Sequence, residues 1–206
     1  MRRPIGLAIG LMLLDGCVTQ RVNDPFRSAT EELLISSAAD RAADELKLKL
    51  PSGTRIYVDA GDFAGQDTKD ADAKYAVGRI TDAFLRQGMR LALDREDADV
   101  VIAIRAGALG IDKSETFFGI PSIPLPVPFA PGAIETTPQV AFYDDLNQSG
   151  IAKFAFTGTD VKTGALVATS NPKMGYSRDE HFTALLLITW QRGDLSPPGA
   201  NQPPNK

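Results

Sequence analysis

The sequence predicts an α+β fold: a small mixed sheet with two amphipathic helices packed on it, followed by antiparallel hairpins. Three observations predict it. Residues 28–48 and 70–87 carry apolar side chains at helical spacing between start and stop signals. The β-branched runs Thr54–Ala60 and Val100–Ile104 flank the second of these segments, as in a strand–helix–strand unit. From Val140 onward, β-prone runs alternate with polar turns.

Ser28-Ala29-Thr30-Glu31 is an S-x-x-E capping box, and Glu31 and Glu32 put negative charge at the positive end of the helix dipole. Leu33, Leu34, Ala38, Ala42, Leu46 and Leu48 form its inward stripe, and Pro51-Ser52-Gly53 ends it. Ile56 and Val58 share one face of the next strand, and Gly61–Gly65 turns the chain. In the second helix Tyr75, Ala76, Ile80, Ala83 and Phe84 point inward and Gly88 is the C-terminal stop. Met89–Leu93 is a short strand, Asp94–Asp99 an acidic turn, and Val100–Ile104 a buried strand continuing to about Leu109. Val140–Tyr143 and Ala152–Thr159 read as two strands joined by a polar turn. Asp160–Gly164 turns the chain into Ala165–Ser170. His181–Trp190 fits a strand or a helix, and Thr183, Ile188, Thr189 and Trp190 favour a strand. One domain, 28–192, holds all of these elements, and the proline-rich residues 193–206 read as a disordered tail.

Within that domain, residues 115–138 form a proline-rich loop. Its stretch 117–131 has no charge and five prolines, which forbid helix interiors and ladder donation. The loop either folds back over a sheet edge or presents Phe117, Phe118, Ile123, Leu125, Val127 and Phe129 as a contact surface. Such a surface would meet a partner protein, a second copy of the chain or the membrane surface.

The N-terminus has its own logic. Arg2 and Arg3 precede the apolar run Ile5–Leu14, which is about half of the roughly 20 residues a spanning helix needs. Leu14-Asp15-Gly16-Cys17 follows, and Cys17 is the only cysteine. These residues resemble the lipobox of bacterial lipoproteins, with Asp15 departing from the usual small residue. The resemblance implies that residues 1–16 are a signal peptide, that Cys17 carries acyl chains, and that 17–27 form a tether to the membrane. Several acyl chains give lasting attachment. Val18 stands where an aspartate would retain the protein at the inner membrane, which points to the outer membrane, facing the periplasm. No cysteine is left for a disulfide.

Two further resemblances follow from the domain's residues. The strand–helix–strand unit ending in Asp97-Ala98-Asp99-Val100-Val101-Ile102-Ala103-Ile104 is similar, over about 54–109, to the α/β unit of curli-secretion pore subunits and penicillin-binding-protein activators. Arg27–Leu34, Arg105–Leu109, Gly119–Ser122, Ala152-Lys153-Phe154 and Lys162-Thr163-Gly164 resemble an uncharacterised family of short proteobacterial lipoproteins. That family implies kinship and no activity.

Motifs for chemistry are missing. There is no G-x-S-x-G elbow, no H-E-x-x-H and no phosphate-binding glycine loop. The single histidine, His181, excludes a zinc site of several histidines. Asp94, Glu96, Asp97 and Asp99 lack the glycine turn and terminal glutamate of an EF-hand, and Asp59 and Asp62 fit ordinary turn chemistry. A net charge of −4 argues against a nucleic-acid partner. The expectation is a lipid-anchored, non-enzymatic envelope module without cofactor or metal. It meets an envelope protein or another copy through the loop. A pore or secretion-channel subunit is the alternative, and a small hydrolase built on Asp59, Asp62 or His181 stands behind it.

Overall fold

Ser28 caps the first helix by satisfying amides that have no partner inside it. Its Oγ accepts from the Glu31 N–H at 3.3 Å, and Glu31 Oε2 accepts from the Ser28 N–H at 2.8 Å. The computed structural model describes residues 28–63, 71–126, 134–185 and 188–195. The leader, Cys17, the tether, Val127, Phe129 and residues 196–206 lie outside them. Helix α1 spans Ala29–Asp44. It buries Leu34, Ile35, Ala38, Ala39, Ala42 and Ala43, while Leu33 points outward. Leu46 and Leu48 are buried from the segment after the helix, which therefore ends before residue 48.

Strand β1 is Arg55–Asp59 and helix α2 is Ala71–Arg86. Gly88 follows α2 at φ +92°, the left-handed stop that glycine takes at no steric cost. Tyr75 on α2 is exposed rather than inward, and its hydroxyl donates to Asp40 at 2.9 Å. Strand β2 is only Arg90–Leu91, and a 3₁₀ turn, Arg95–Asp97, leads to β3, Val100–Ile120. Strands β4 (Pro124–Pro126) and β5 (Ile134–Thr136) pair with each other. Then come β6 (Val140–Asp160), β7 (Leu166–Thr169), β8 (Lys173–Ala184) and β9 (Ile188–Gly193). The main sheet has seven strands in the order β2-β1-β3-β6-β8-β9, with β7 also on β6. Its β1 ladders are parallel and the others antiparallel. The fold is α+β, a mixed sheet with two helices.

Three expectations about the strands change. Strand β3 does not stop near Leu109 but continues to Ile120, so Phe117 and Phe118 are strand residues rather than loop residues. The two strands expected around a polar turn are one strand, β6, because Asp144–Gly150 pair with β3 on one side and β8 on the other. The segment His181–Trp190 is two strands around a turn at Leu185, whose φ of 51° lies in the left-handed region. Part of the expected tail is also held: Asp194 accepts from the Arg178 N–H at 2.8 Å and pairs with Arg41 at 2.9 Å.

Both helices lie on one face of the sheet. Phe84 of α2 meets Phe156 edge-on at 5.3 Å, and Phe63 meets Phe154 at 5.5 Å. Ile56, Ile80, Ile102 and Ile104 complete that core. Helix α1 crosses β6 and β8 where they carry Gly150 and Gly175. A Cβ on Gly175 would overlap the Ala38 carbonyl and come within 2.6 Å of the Ala42 nitrogen. Two glycines thus set the depth of the helix. Past α1, the strands β3, β6, β8 and β9 run on as a four-stranded arm. At about 3.3 Å per residue, the 21 residues of β3 or β6 span about 70 Å.

Candidate functional site

Three contacts aim α1 along the arm. Glu31 pairs with Lys113, Ser177 Oγ donates to the Leu34 carbonyl at 2.6 Å, and Ala38 lies over Gly175. Lys113 stands in register with Gln148 and Asp179, farther along β8 than Ser177 and Gly175. Helix α1 therefore runs antiparallel to β8, with its N-terminus towards the free end of the arm. The Lys113 ammonium and the Ser28 amide hold the Glu31 carboxyl below its ordinary range.

The free end is apolar. Phe118, Tyr143, Ala184 and Ile188 stand side by side across β3, β6, β8 and β9. Phe118 and Leu185 are each 70% exposed and Ile188 54%. Phe118 also meets Phe142 at 6.3 Å. One same-face row inward are Thr116, Asp145, Phe182 and Trp190, with the Phe182 and Trp190 rings stacked at 5.4 Å. Partial desolvation pushes the Tyr143 phenol up, with Asp145 adding to the shift.

Of the residues expected to make contact, Phe118 and Ile123 are exposed at this end and Phe117 is half-buried in β3. Thr137 fastens Ile123, its Oγ1 accepting from the Ile123 N–H at 2.8 Å. The Leu125 backbone pairs with Glu135 in the β4–β5 ladder. The side chain of Leu125, together with Val127 and Phe129, lies outside the described residues. Sequence reasoning missed Phe142, Tyr143, Leu185 and Ile188. The signal was there in Leu185–Ile188, an apolar run that reads as strand interior but begins at an exposed turn.

The chemistry-bearing residues are tied up elsewhere. Asp179 is fully buried and accepts from Gln191 Nε2 at 2.8 Å, with His181 Nε2 at 2.9 Å from its other oxygen. Ser177 shares that face, but its hydroxyl proton goes to the Leu34 carbonyl, so it is not poised as a nucleophile. Asp59 accepts from the Gly61 N–H at 3.0 Å, an Asx turn. Asp99 is engaged by the Arg55 guanidinium and backbone amide, which hold its carboxyl below its usual range. Among the described residues no group of three or more His, Cys, Asp or Glu side chains is placed to hold a metal ion. No described helix is long and apolar enough to cross a membrane.

No curated protein matches the chain. Residues 8–182, most of its length, match a family whose description is "Family of unknown function (DUF6655)", and the chain belongs to that family.

Proposed function

We propose that the protein is a membrane-anchored bacterial lipoprotein acting as a non-enzymatic interaction module of the cell envelope, with the free end of the arm as its contact surface. The observation that carries this reading is the exposed apolar row Phe118–Tyr143–Ala184–Ile188 at the end of the sheet. In it two antiparallel hairpins, β3/β6 and β8/β9, form a spacer between the helix-covered core and the contact. Acyl chains on Cys17 hold the protein to the periplasmic side of the outer membrane.

Palmitate labelling with membrane fractionation of the full chain and of Cys17→Ser tests the anchor. The expected result is label and membrane retention only with Cys17; label surviving in Cys17→Ser, or none in either chain, removes the lipoprotein reading. A photo-crosslinker at Phe118, with a control at Lys162, tests the surface. Capture specific to Phe118 is expected, and none beyond the control removes the contact role.

One observation favours a ring of copies, as in a pore or secretion channel. Among the described residues, the outer edge of β3 beyond Ala103 has no strand partner in the sheet order, and neither has the outer edge of β9. Against a barrel wall, Lys113 and Glu115 face one side of the arm and Asp112 and Asp145 the other, where a spanning strand needs an unbroken apolar face. Light scattering on the purified protein distinguishes a monomer from such a ring.

A further inference from the structure

We infer that the free end of the arm is itself a lipid-binding element, inserted shallowly into the surface of the same membrane that carries the anchor. The inference rests on the lipoprotein reading for the identity of that membrane. Three observations lead to it.

The first is where the chain leaves the fold. Helix α1 begins over the Lys113 row with its N-terminus towards the arm's end, so Ser28, the first described residue, lies on the arm side. From Lys113 to Ile120 the strand covers about 23 Å at 3.3 Å per residue. The ten residues Val18–Arg27 reach about 35 Å when extended. An acylated Cys17 thus lies within reach of the level of the arm's end. That reach allows the anchor and the apolar end to meet one membrane.

The second is the depth of the apolar layer. The Phe118–Ile188 row lies about 7 Å beyond the Phe182–Trp190 row, and Glu135 is the one charged residue in the 121–139 segment that joins β3 to β6 at that end. Interfacial elements bury their apolar parts by about 5–10 Å, which matches this layer. Asp112, Glu115 and Asp145 stop deeper entry, because a carboxylate in hydrocarbon is costly. Trp190 then stands at headgroup level, where amphipathic aromatics are favoured.

The third is charge. No Lys or Arg occurs between Lys113 and Lys153, whereas Asp144 and Asp145 border the apolar row. The arm's end has nothing with which to attract an anionic surface. It suits a zwitterionic one, held by apolar area alone.

The test uses the acylated protein purified from membranes and reconstituted into phosphatidylcholine vesicles with and without lipids brominated near the headgroup end of the chains. Trp190 is the only tryptophan, so its emission reports the arm directly. The expected result is a blue shift and loss of about half of the emission with brominated lipid, reflecting shallow insertion. Replacing part of the phosphatidylcholine with phosphatidylglycerol should leave the quenching unchanged or weaken it. Leu185→Asn suits the left-handed turn and removes apolar area, so it should cut the quenching while thermal unfolding stays intact. An unquenched Trp190 in protein that carries palmitate overturns the inference and leaves the anchor standing. Absence of palmitate removes the anchor, and quenching on added vesicles, wild type against Leu185→Asn, then scores the arm alone. Protein rather than lipid captured at Phe118 also overturns the inference, because the surface would be occupied.

Discussion

Ser177 on β8 donates its hydroxyl proton to the carbonyl of Leu34 on α1 at 2.6 Å, in a fully packed interface 143 residues apart in sequence. The bond fixes the helix lengthwise on the sheet, and with Glu31–Lys113 it decides which end of the molecule the N-terminal segment leaves from.

Ser177→Ala should lower stability by about 1 kcal/mol, the usual net worth of one such bond, since the Leu34 carbonyl lies within the helix ladder. Chemical denaturation measures it. A loss above about 3 kcal/mol would mean that the hydroxyl does more than position α1.

Gly175→Ala should cost far more than its size suggests. The added methyl overlaps the Ala38 carbonyl, a backbone atom that cannot swing aside, so α1 must lift from the sheet. We expect a loss of about 2–3 kcal/mol or failure to fold. Gly164→Ala is the control: its φ is +69° with open space around it, and about 1 kcal/mol is expected.

Arg79 on α2 joins the helices, reaching Asp40 at 3.1 Å, Asp44 at 2.6 Å and Asp82 at 3.1 Å, with only 15% of its side chain exposed. Arg79→Met keeps the apolar stem and leaves three carboxylates without their shared cation. A loss of about 1–2 kcal/mol is expected, shrinking as salt screens the carboxylates. Urea titrations at low and high salt check both parts.

Acid should act through Glu31 and Asp194. Lys113 and Ser28 lower the Glu31 carboxyl in the folded chain, and Arg41 lowers that of Asp194. A depressed folded value contributes stability that is complete above the unfolded value, near 4, and is lost as pH falls through the folded one. Melting temperature should therefore decline below about pH 4. Glu31→Gln should lower stability by about 1 kcal/mol at neutral pH and flatten that acid limb.

Leu185 holds φ 51°, a conformation costing a branched residue about 1 kcal/mol. Leu185→Gly should thus be neutral or stabilising despite loss of the side chain, because Leu185 is 70% exposed. Differential scanning calorimetry reads the sign. A clear loss would show that the turn is packed in solution.

What was legible in the sequence follows how local each signal is. The capping box of Ser28 and Glu31, the inward stripe of α2 and the pairing of Ile56 with Val58 depend on neighbours in the chain and on one buried face. The arm has no such mark. Asp112, Lys113, Ser114 and Glu115 are exposed on both sides of β3, so no alternation betrays a strand. What makes them one is the ladder to β6, a relation between distant residues. The same gap hid half of the contact surface. Phe118 and Ile123 stood out beside prolines, whereas the apolar Leu185 and Ile188 looked like core because exposure cannot be read from composition.

The β3–β6 ladder also orders how the chain finds itself. Its innermost loop joins Ile120 to Val140 and its outermost Val100 to Asp160. Closing the short loop first makes each further rung a small entropic step, whereas starting at the core end means closing a span three times as long. Prolines stiffen that short loop and lower the cost of the first rung. The geometry thus predicts zippering from the far end, which would bring the two halves of the core sheet together already in register.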